Sequence, residues 1–346
     1  MTEAGAARLD SRAPNALDGL RGLAALMVVA SHAGGLGLHL LPGFSLAGIG
    51  KYGVYLFFVL SAYLLTAQWL SQFARPEPPG WQGLWRYGRR RVLRVFPLYL
   101  PILLLGWALA PRGLGVPLDG PAVLRHVLLL EGRDLYWSIP VEFVYYLWIP
   151  PLAWLLARHT QVALALVLLA AAAALLCYSP AQMPVNSDHL GYYLPVFLTG
   201  SLSAWLLRHR AAPDAVPAAR VTLADGLLLL GLLLSVPQAL RLLGLAVRDD
   251  VLHAAVPAWG LAWSLVLAGL VTGRLPAWRW CLSRSWMAWS GRACFALYLL
   301  HMPALYLARK LPLASPLQAW LGLGLACGLA ALAHRWIERP ARALGR

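Results

Sequence analysis

The sequence predicts an all-α integral membrane protein, a polytopic bundle of about ten transmembrane helices with both termini in the cytoplasm. Hydrophobic residues make up 60% of the 346 residues and charged residues only 12%, with a mean hydropathy of +0.63. Such a chain has too little polar surface to cover a soluble globule. Apolar runs of about 20 residues, the length that crosses a bilayer, recur along the whole chain.

The apolar runs define the predicted spans, and the charges between them define the orientation. The runs cover residues 17–39, 50–73, 92–110, 136–157, 161–178, 190–207, 222–243, 253–273, 286–308 and 315–335. The connection 74–91 holds five arginines and the tail from residue 335 holds four, whereas residues 111–135 balance three arginines against three carboxylates. Because basic residues collect on the cytoplasmic side, both termini are predicted to lie there.

The composition also narrows the classes of partner. A formal charge of +15 could indicate nucleic acid, but the cations fall in short connections between apolar runs, so no nucleic-acid partner is expected. The four cysteines show no paired metal-ligand spacing, and we expect small core residues and no metal. A polar, acid-containing segment precedes the first run, which is therefore predicted to remain as a span and not to be cleaved as a signal peptide.

The first span carries two ionisable residues on one helical face. Arg21 and His32 are eleven positions apart, which returns a helix to within about 20° of its start and separates them by about 16 Å along the axis. Asp18 precedes Arg21 by three residues and could compensate its charge. Ionisable residues within a span are costly unless they are paired or face a wet cavity. The alternative is that Arg21 reaches the membrane surface while His32 makes one structural hydrogen bond.

Glu142 and His301 extend this pattern to two further spans. With the predicted topology, both residues lie in the outer half of the membrane together with His32, so three ionisable groups are expected at one depth. A lone carboxylate near an apolar core must find a partner or stay protonated. This convergence predicts a functional cavity. The alternative is structural pairing of Glu142 with an arginine or a histidine.

The connection after the second span leads into a basic stripe. Residues 74–88 contain three prolines and are not expected to form a regular helix. Arg86, Arg90 and Arg94 then repeat at four-residue spacing, with Arg89 and Arg91 beside them, and would form one stripe if helical. The stripe would either anchor the protein to anionic lipid or clamp a phosphorylated ligand, since guanidinium groups match phosphate oxygens.

Six separated motifs occur in an order that resembles one known family. They are Arg21 with ten residues before His32, FFVLSAYLL at 57–65, RRVLRVFP at 90–97, YWSIPVEFVYYL at 136–147, ALYLLH at 296–301 and RWIERPAR at 335–342. Together they resemble the acyltransferase 3 family of integral membrane acyltransferases, which includes bacterial O-antigen and exopolysaccharide O-acetylases. The resemblance covers nearly the whole chain. The second motif departs from the family in one position, with Ala62 where glycine is common.

The resemblance implies a bundle of about ten helices in the bacterial inner membrane and transfer of an acyl group from cytoplasmic acyl-CoA to a hydroxyl, usually on a sugar. It implies that Arg21 and His32 are needed for activity, and it carries the basic motif to Arg90, Arg91 and Arg94. Acetyl is the expected acyl group from its frequency within the family. Some relatives append a soluble esterase-like domain, whereas residues 1–346 are expected to form one transmembrane domain.

These observations combine into a mechanistic hypothesis. The phosphates of acetyl-CoA would dock on the basic stripe, including Arg86, with Arg21 deeper in the path. Neutral His32 would act as the general base for the acceptor hydroxyl, and Glu142 would orient it. His301, Tyr145 and Tyr55 are the candidates for holding the acceptor or the thioester oxygen. A covalent acyl-His32 intermediate is the alternative within the same chemistry.

Other functions fit parts of the same pattern. A glycan or lipid-linked oligosaccharide is the expected acceptor, but relatives also acylate small secondary metabolites. A transporter or flippase would line its path with buried charges, although the internal repeats typical of transporters are not evident. A scaffold for polysaccharide assembly would use the charges structurally. The sequence leaves the acceptor sugar, the acyl chain and the oligomeric state open.

Overall fold

A computed structural model of the protein describes residues 15–112, 116–179, 182–184, 186–210, 220–245 and 249–345. Within these ranges the chain is helical, and its extended pairing is limited to an isolated bridge between Leu41 and Phe44. The helices are α1 Ala16–Gly35, α2 Gly50–Phe73, α3 Trp81–Leu109, α4 Gly120–Val127, α5 Ser138–Arg158, α6 Thr160–Cys177, α7 Leu190–Leu206, α8 Leu223–Leu234, α9 Pro237–Leu242, α10 Asp249–Ala254, α11 Val256–Val271, α12 Pro276–Leu282, α13 Ser285–Arg292, α14 Cys294–Arg309, α15 Ser315–Ala333 and α16 Arg339–Leu344.

The predicted all-α membrane fold is confirmed, and each predicted span coincides with helical structure. Six helices of the described chain are long and apolar enough to cross a membrane, or seven if α11 and α12, which meet at 88°, form one broken span. The run 222–243 divides into α8 and α9 because Pro237 begins a new helix. The count of about ten spans and the cytoplasmic termini remain predictions.

The basic stripe is helical, but its helix begins earlier than expected. The prediction that residues 74–88 lack regular helix is wrong from Trp81 onward, where α3 begins. The three prolines at positions 76, 78 and 79 all precede this start, so none of them interrupts a helical hydrogen bond. The five arginines of the stripe, from Arg86 to Arg94, therefore lie on one continuous helix.

Glycines allow neighbouring helices to approach the backbone of helix α1 closely. A Cβ atom at Gly19 would lie 1.8 Å from the carbonyl oxygen of Leu282, and one at Gly22 would lie 2.1 Å from Ser290 Oγ. A Cβ at Gly291, on α13, would lie 1.7 Å from the carbonyl oxygen of Asp18. Small residues at helix crossings permit this close approach in membrane proteins. The packing of α1 against α12 and α13 thus requires glycine, with no Cβ atom, at these three positions.

The connection between α4 and α5 is held by charged residues outside the spans. Arg125 Nε lies 2.6 Å from Glu131 Oε2, and Arg133 bonds the other carboxylate oxygen. The hydrogen bond from Arg125 holds the pKa of Glu131 below its usual value. The amide of Arg133 donates to His126 Nε2 at 3.0 Å. These contacts fix the chain just before it enters α5.

We predict that Gly291→Ala destabilises the protein, because the added methyl group would overlap the backbone of α1. Overpacking typically costs about 1–3 kcal/mol, and a backbone carbonyl cannot rotate away from the contact. Thermal unfolding of the purified protein in detergent measures the effect.

Gly231→Ala on α8 is the matched control, since an added Cβ there meets no atom within 4 Å. Alanine favours helix over glycine by roughly 0.5–1 kcal/mol, so this variant should melt at or above the wild-type temperature. Equal melting temperatures for the two variants would contradict the importance of the α1 contact.

Candidate functional site

A cavity of about 100 Å³ lies among α1, α2, α3, α5 and α14. The space is enough for several water molecules or a small polar group. Its polar lining consists of Arg21, Ser61, Arg91, Arg94, Ser138, Glu142, Cys294 and Tyr298. The remaining lining residues are aliphatic or phenylalanine. The cavity is therefore a charged space inside an apolar bundle.

The cavity carries more positive than negative charge. Three arginines, Arg21, Arg91 and Arg94, face it with a single carboxylate, that of Glu142. Glu142 Oε1 accepts a hydrogen bond from Ser61 Oγ. Arg91 Nε is buried without a hydrogen-bond partner among the described residues, and its guanidinium lies 5.8 Å from the centre of the Tyr146 ring. An incompletely neutralised set of guanidinium groups is suited to an anionic ligand.

The arginines of α3 form a path from the cavity to the surface. Arg91 and Arg94 line the cavity, whereas Arg86 is exposed and its Nε donates to Gln82 O at 3.3 Å. Arg90 is partly buried, and its Nε donates to Arg86 O at 3.2 Å. The predicted stripe is thus present, but only two of its five arginines, Arg91 and Arg94, line the cavity.

Tyr298 lines the cavity and also contacts the histidine pair through its backbone. Its hydroxyl donates to the carbonyl of Leu135 at 2.7 Å and lies 3.0 Å from Ser138 Oγ, so α14 is joined to the beginning of α5. His301 is three residues further along α14 and is not among the lining residues.

His32 and His301 are in direct contact, which confirms that these two side chains converge. His32 Nδ1 lies 3.0 Å from His301 Nε2 and 3.0 Å from the carbonyl oxygen of Val28. His301 Nδ1 lies 2.6 Å from the carbonyl oxygen of Tyr298. His301 is fully buried, whereas His32 is exposed in the last turn of α1. The contact leaves His32 Nε2 as the accessible ring nitrogen.

Arg21 and His32 both face α14, as the eleven-residue spacing predicts. The Arg21 guanidinium lies against the thiol of Cys294, at the beginning of α14, and His32 meets His301 further along the same helix. Glu142 instead faces the cavity with Arg21, and its hydrogen bond goes to Ser61 in the middle of α2. The structure thus brings the two histidines together, whereas Glu142 contacts Ser61; the common depth of the three groups remains a prediction.

Tyr55 and Tyr145, the other candidates for substrate contact, lie outside the cavity lining. Tyr55 OH donates to the carbonyl of His253 at 2.8 Å, and Tyr145 OH lies 2.7 Å from Ser201 Oγ. Both tyrosines are buried. Their hydroxyls connect neighbouring helices. Neither hydroxyl contacts the cavity or the histidine pair.

Sequence reasoning missed several polar residues at or near the cavity. Ser138, Cys294 and Tyr298 line it, and the motifs at 136–147 and 296–301 contain two of them. The motif at 335–342 contains Glu338, which is buried and accepts hydrogen bonds from His334 Nδ1 at 2.7 Å and Arg342 Nη2 at 2.8 Å. The available signal was the presence of polar residues within otherwise apolar motifs.

The fold and the site define a polytopic membrane protein with a charged interior cavity and an adjacent histidine pair. The acyltransferase domain model of the acyltransferase 3 family matches residues 15–335, so the chain belongs to that family. The resemblance inferred from the six motifs is thereby confirmed.

One relative is the Komagataeibacter xylinus protein described as "Putative membrane-bound transacylase BcsY". The two sequences are 30% identical over 242 residues, which cover 61% of this chain and 56% of that protein. The chain thus spans little more than half the length of this relative. No solved structure matches the chain.

We predict that Ser61→Ala destabilises the protein by about 1–3 kcal/mol, because the Glu142 carboxylate would lose one of its hydrogen-bond donors in the bundle interior. Ser71→Ala on the same helix is the control, since Ser71 Oγ only donates to the carbonyl of Gln68 at 2.8 Å. Thermal unfolding in detergent compares the two variants. A Ser71→Ala variant that is as unstable as Ser61→Ala would mean that the Glu142 contact contributes little.

Proposed function

We propose that the protein is an inner-membrane O-acyltransferase that uses acyl-CoA, with acetyl as the acyl group, to modify a hydroxyl of a cell-surface or lipid-linked glycan. Membership of the acyltransferase 3 family supports acyl transfer by a membrane protein. The observation that carries the finer proposal is the arginine-lined cavity, whose lining residue Tyr298 lies one helical turn from His301. An anionic group of the donor would bind to the cavity arginines, the rest of the donor would lie outside the cavity, and the acceptor would approach the exposed His32.

The cavity arginines would bind the anionic end of the donor. Acyl-CoA carries phosphates, and planar guanidinium groups bind phosphate oxygens through paired hydrogen bonds. Arg91 and Arg94, which line the cavity, would bind these phosphates, and the exposed Arg86 would be the first contact at the surface. Arg21 lies on α1, about 16 Å from His32 along the axis. An extended pantetheine arm would bridge this interval and bring the thioester towards His32.

His32 would act as the general base. Its exposed Nε2 would take the proton from the acceptor hydroxyl as the oxygen attacks the thioester carbonyl. The tetrahedral intermediate would then expel the CoA thiolate, which would receive the proton back from His32. The products are an ester on the acceptor and free CoA. An imidazole suits this exchange because its ordinary pKa lies near neutral pH.

Arg94→Gln should weaken CoA binding by roughly 10–100-fold, since a hydrogen bond to a charged group contributes about 1.5–3 kcal/mol. Arg89→Gln is the matched control: it removes the same charge from the same helix, but Arg89 already donates to the carbonyl of Leu344 and lies outside the cavity lining. Titration of CoA into the purified protein by calorimetry measures both affinities. Equal weakening in the two variants would place the nucleotide on the surface stripe and not in the cavity.

His32→Ala should lower the release of CoA thiol from acetyl-CoA by about 10²–10⁴-fold, the usual contribution of a general base. A crude extract of lipid-linked oligosaccharides supplies acceptors, and CoA affinity should be unchanged because His32 is not among the cavity residues. Acceptor-dependent release that persists in the variant would exclude His32 as the base. Absence of both CoA binding and thiol release in the wild type would argue for a transporter or a scaffold.

A further inference from the structure

The fully buried His301 uses both of its ring nitrogens inside the protein. Its Nδ1 lies 2.6 Å from the carbonyl oxygen of Tyr298, which can only accept a hydrogen bond. Nδ1 therefore carries the ring proton, and in the neutral imidazole Nε2 carries the lone pair. This Nε2 is the atom that faces His32, at 3.0 Å from its Nδ1.

Two acceptors thus converge on one nitrogen of His32. The lone pair of His301 Nε2 and the carbonyl oxygen of Val28 both lie 3.0 Å from His32 Nδ1. A proton on this nitrogen satisfies both acceptors, whereas a lone pair would face two other lone pairs. The carbonyls of Val28 and Tyr298 belong to helices α1 and α14, so the backbone of two helices selects the tautomer.

We infer that His301 is a positioning residue that holds neutral His32 with its proton on Nδ1, and so leaves the lone pair on the exposed Nε2. This inference deepens the proposed function, and its catalytic meaning rests on that function. When Nε2 takes a proton, the Nδ1–H of the imidazolium still donates to His301 and to Val28. The positive charge is then stabilised by a neutral imidazole and a carbonyl dipole.

This arrangement assigns the orienting role to a neutral residue. Among the described residues, no carboxylate hydrogen-bonds to the ring of His32 or His301, and Glu142 bonds Ser61 instead. It also removes His301 from the candidates for holding the acceptor, because neither ring nitrogen is left to contact it. The Tyr298 carbonyl thus fixes the tautomer of His301, and His301 in turn fixes the tautomer of His32 that leaves Nε2 basic.

The experiment compares His301→Gln with His301→Leu. The glutamine amide oxygen can accept from His32 Nδ1 near the position of the lost Nε2, whereas leucine offers no acceptor. The first readout is the rate at which diethyl pyrocarbonate modifies His32 in the full-length purified protein, located by peptide mass spectrometry. It requires no substrate. His189, which is exposed on another helix end, serves as the internal reference.

We expect His301→Leu to lower the modification rate of His32 by about fivefold relative to His189, the factor that one ordinary hydrogen bond contributes. His301→Gln should stay within about twofold of wild type on the same basis. Equal rates in wild type and the leucine variant, or equal losses in both variants, would overturn the inference. If the leucine variant does not fold, His301→Met provides a side chain of similar volume without a strong acceptor.

The second readout is thiol release from acetyl-CoA. His301→Leu should lower kcat and leave the KM for the acceptor extract unchanged, and His301→Gln should restore most of kcat. A rise in acceptor KM with normal His32 reactivity would make His301 a substrate contact and refute the positioning role. If His301→Leu alters the reactivity of His32 but the wild-type protein releases no thiol, the tautomer inference is retained and the proposed function is rejected.

Discussion

Ionised side chains inside an apolar helix bundle are the constraint on which the rest of this structure depends. Each guanidinium in such a place must be compensated by a carboxylate, a dipole, water or a ligand. The cavity faces Arg21, Arg91 and Arg94 with the single carboxylate of Glu142. Asp18 also acts on Arg21 from outside the lining, but within the lining the guanidinium groups outnumber the carboxylate. This excess of positive charge is the reason for proposing an anionic ligand.

The histidine pair depends on a second constraint, the close approach of helices around α1. Gly22 and Gly291 admit α13 to the backbone of α1, and α14 follows α13 after a single residue. This places Cys294 beside Arg21 and His301 beside His32. The contact between the two rings therefore relies on glycines that lie more than two turns away from them.

Periodicity and hydropathy in the sequence predicted a large part of this arrangement. The eleven-residue interval placed Arg21 and His32 on one face, and both meet α14. The spans 50–73 and 190–207 agree closely with α2 and α7, because long apolar runs leave little choice of structure. Helix breaks were harder to predict. Helices α11 and α12 meet at 88° across a short connection, and the apolar composition on both sides of it does not indicate the bend.

Side-chain partners could not be predicted, since they depend on contacts between distant helices. Nothing local indicates that Glu142 bonds Ser61, 81 residues away, or that Tyr145 bonds Ser201. Hydropathy shows that a polar group is buried and leaves its neighbour unspecified. The same limit applies to Tyr55, whose hydroxyl bonds a backbone carbonyl near the end of α10. The partner of a buried group is a property of the tertiary fold.

The Tyr298 contact has a consequence for the stiffness of the cavity wall. The Tyr298 hydroxyl is held by Leu135 and Ser138, so this side of the cavity cannot widen unless these hydrogen bonds break. The buried His301 lies one turn further along the same helix. A movement of α14 that changed the width of the cavity would therefore also move the histidine pair.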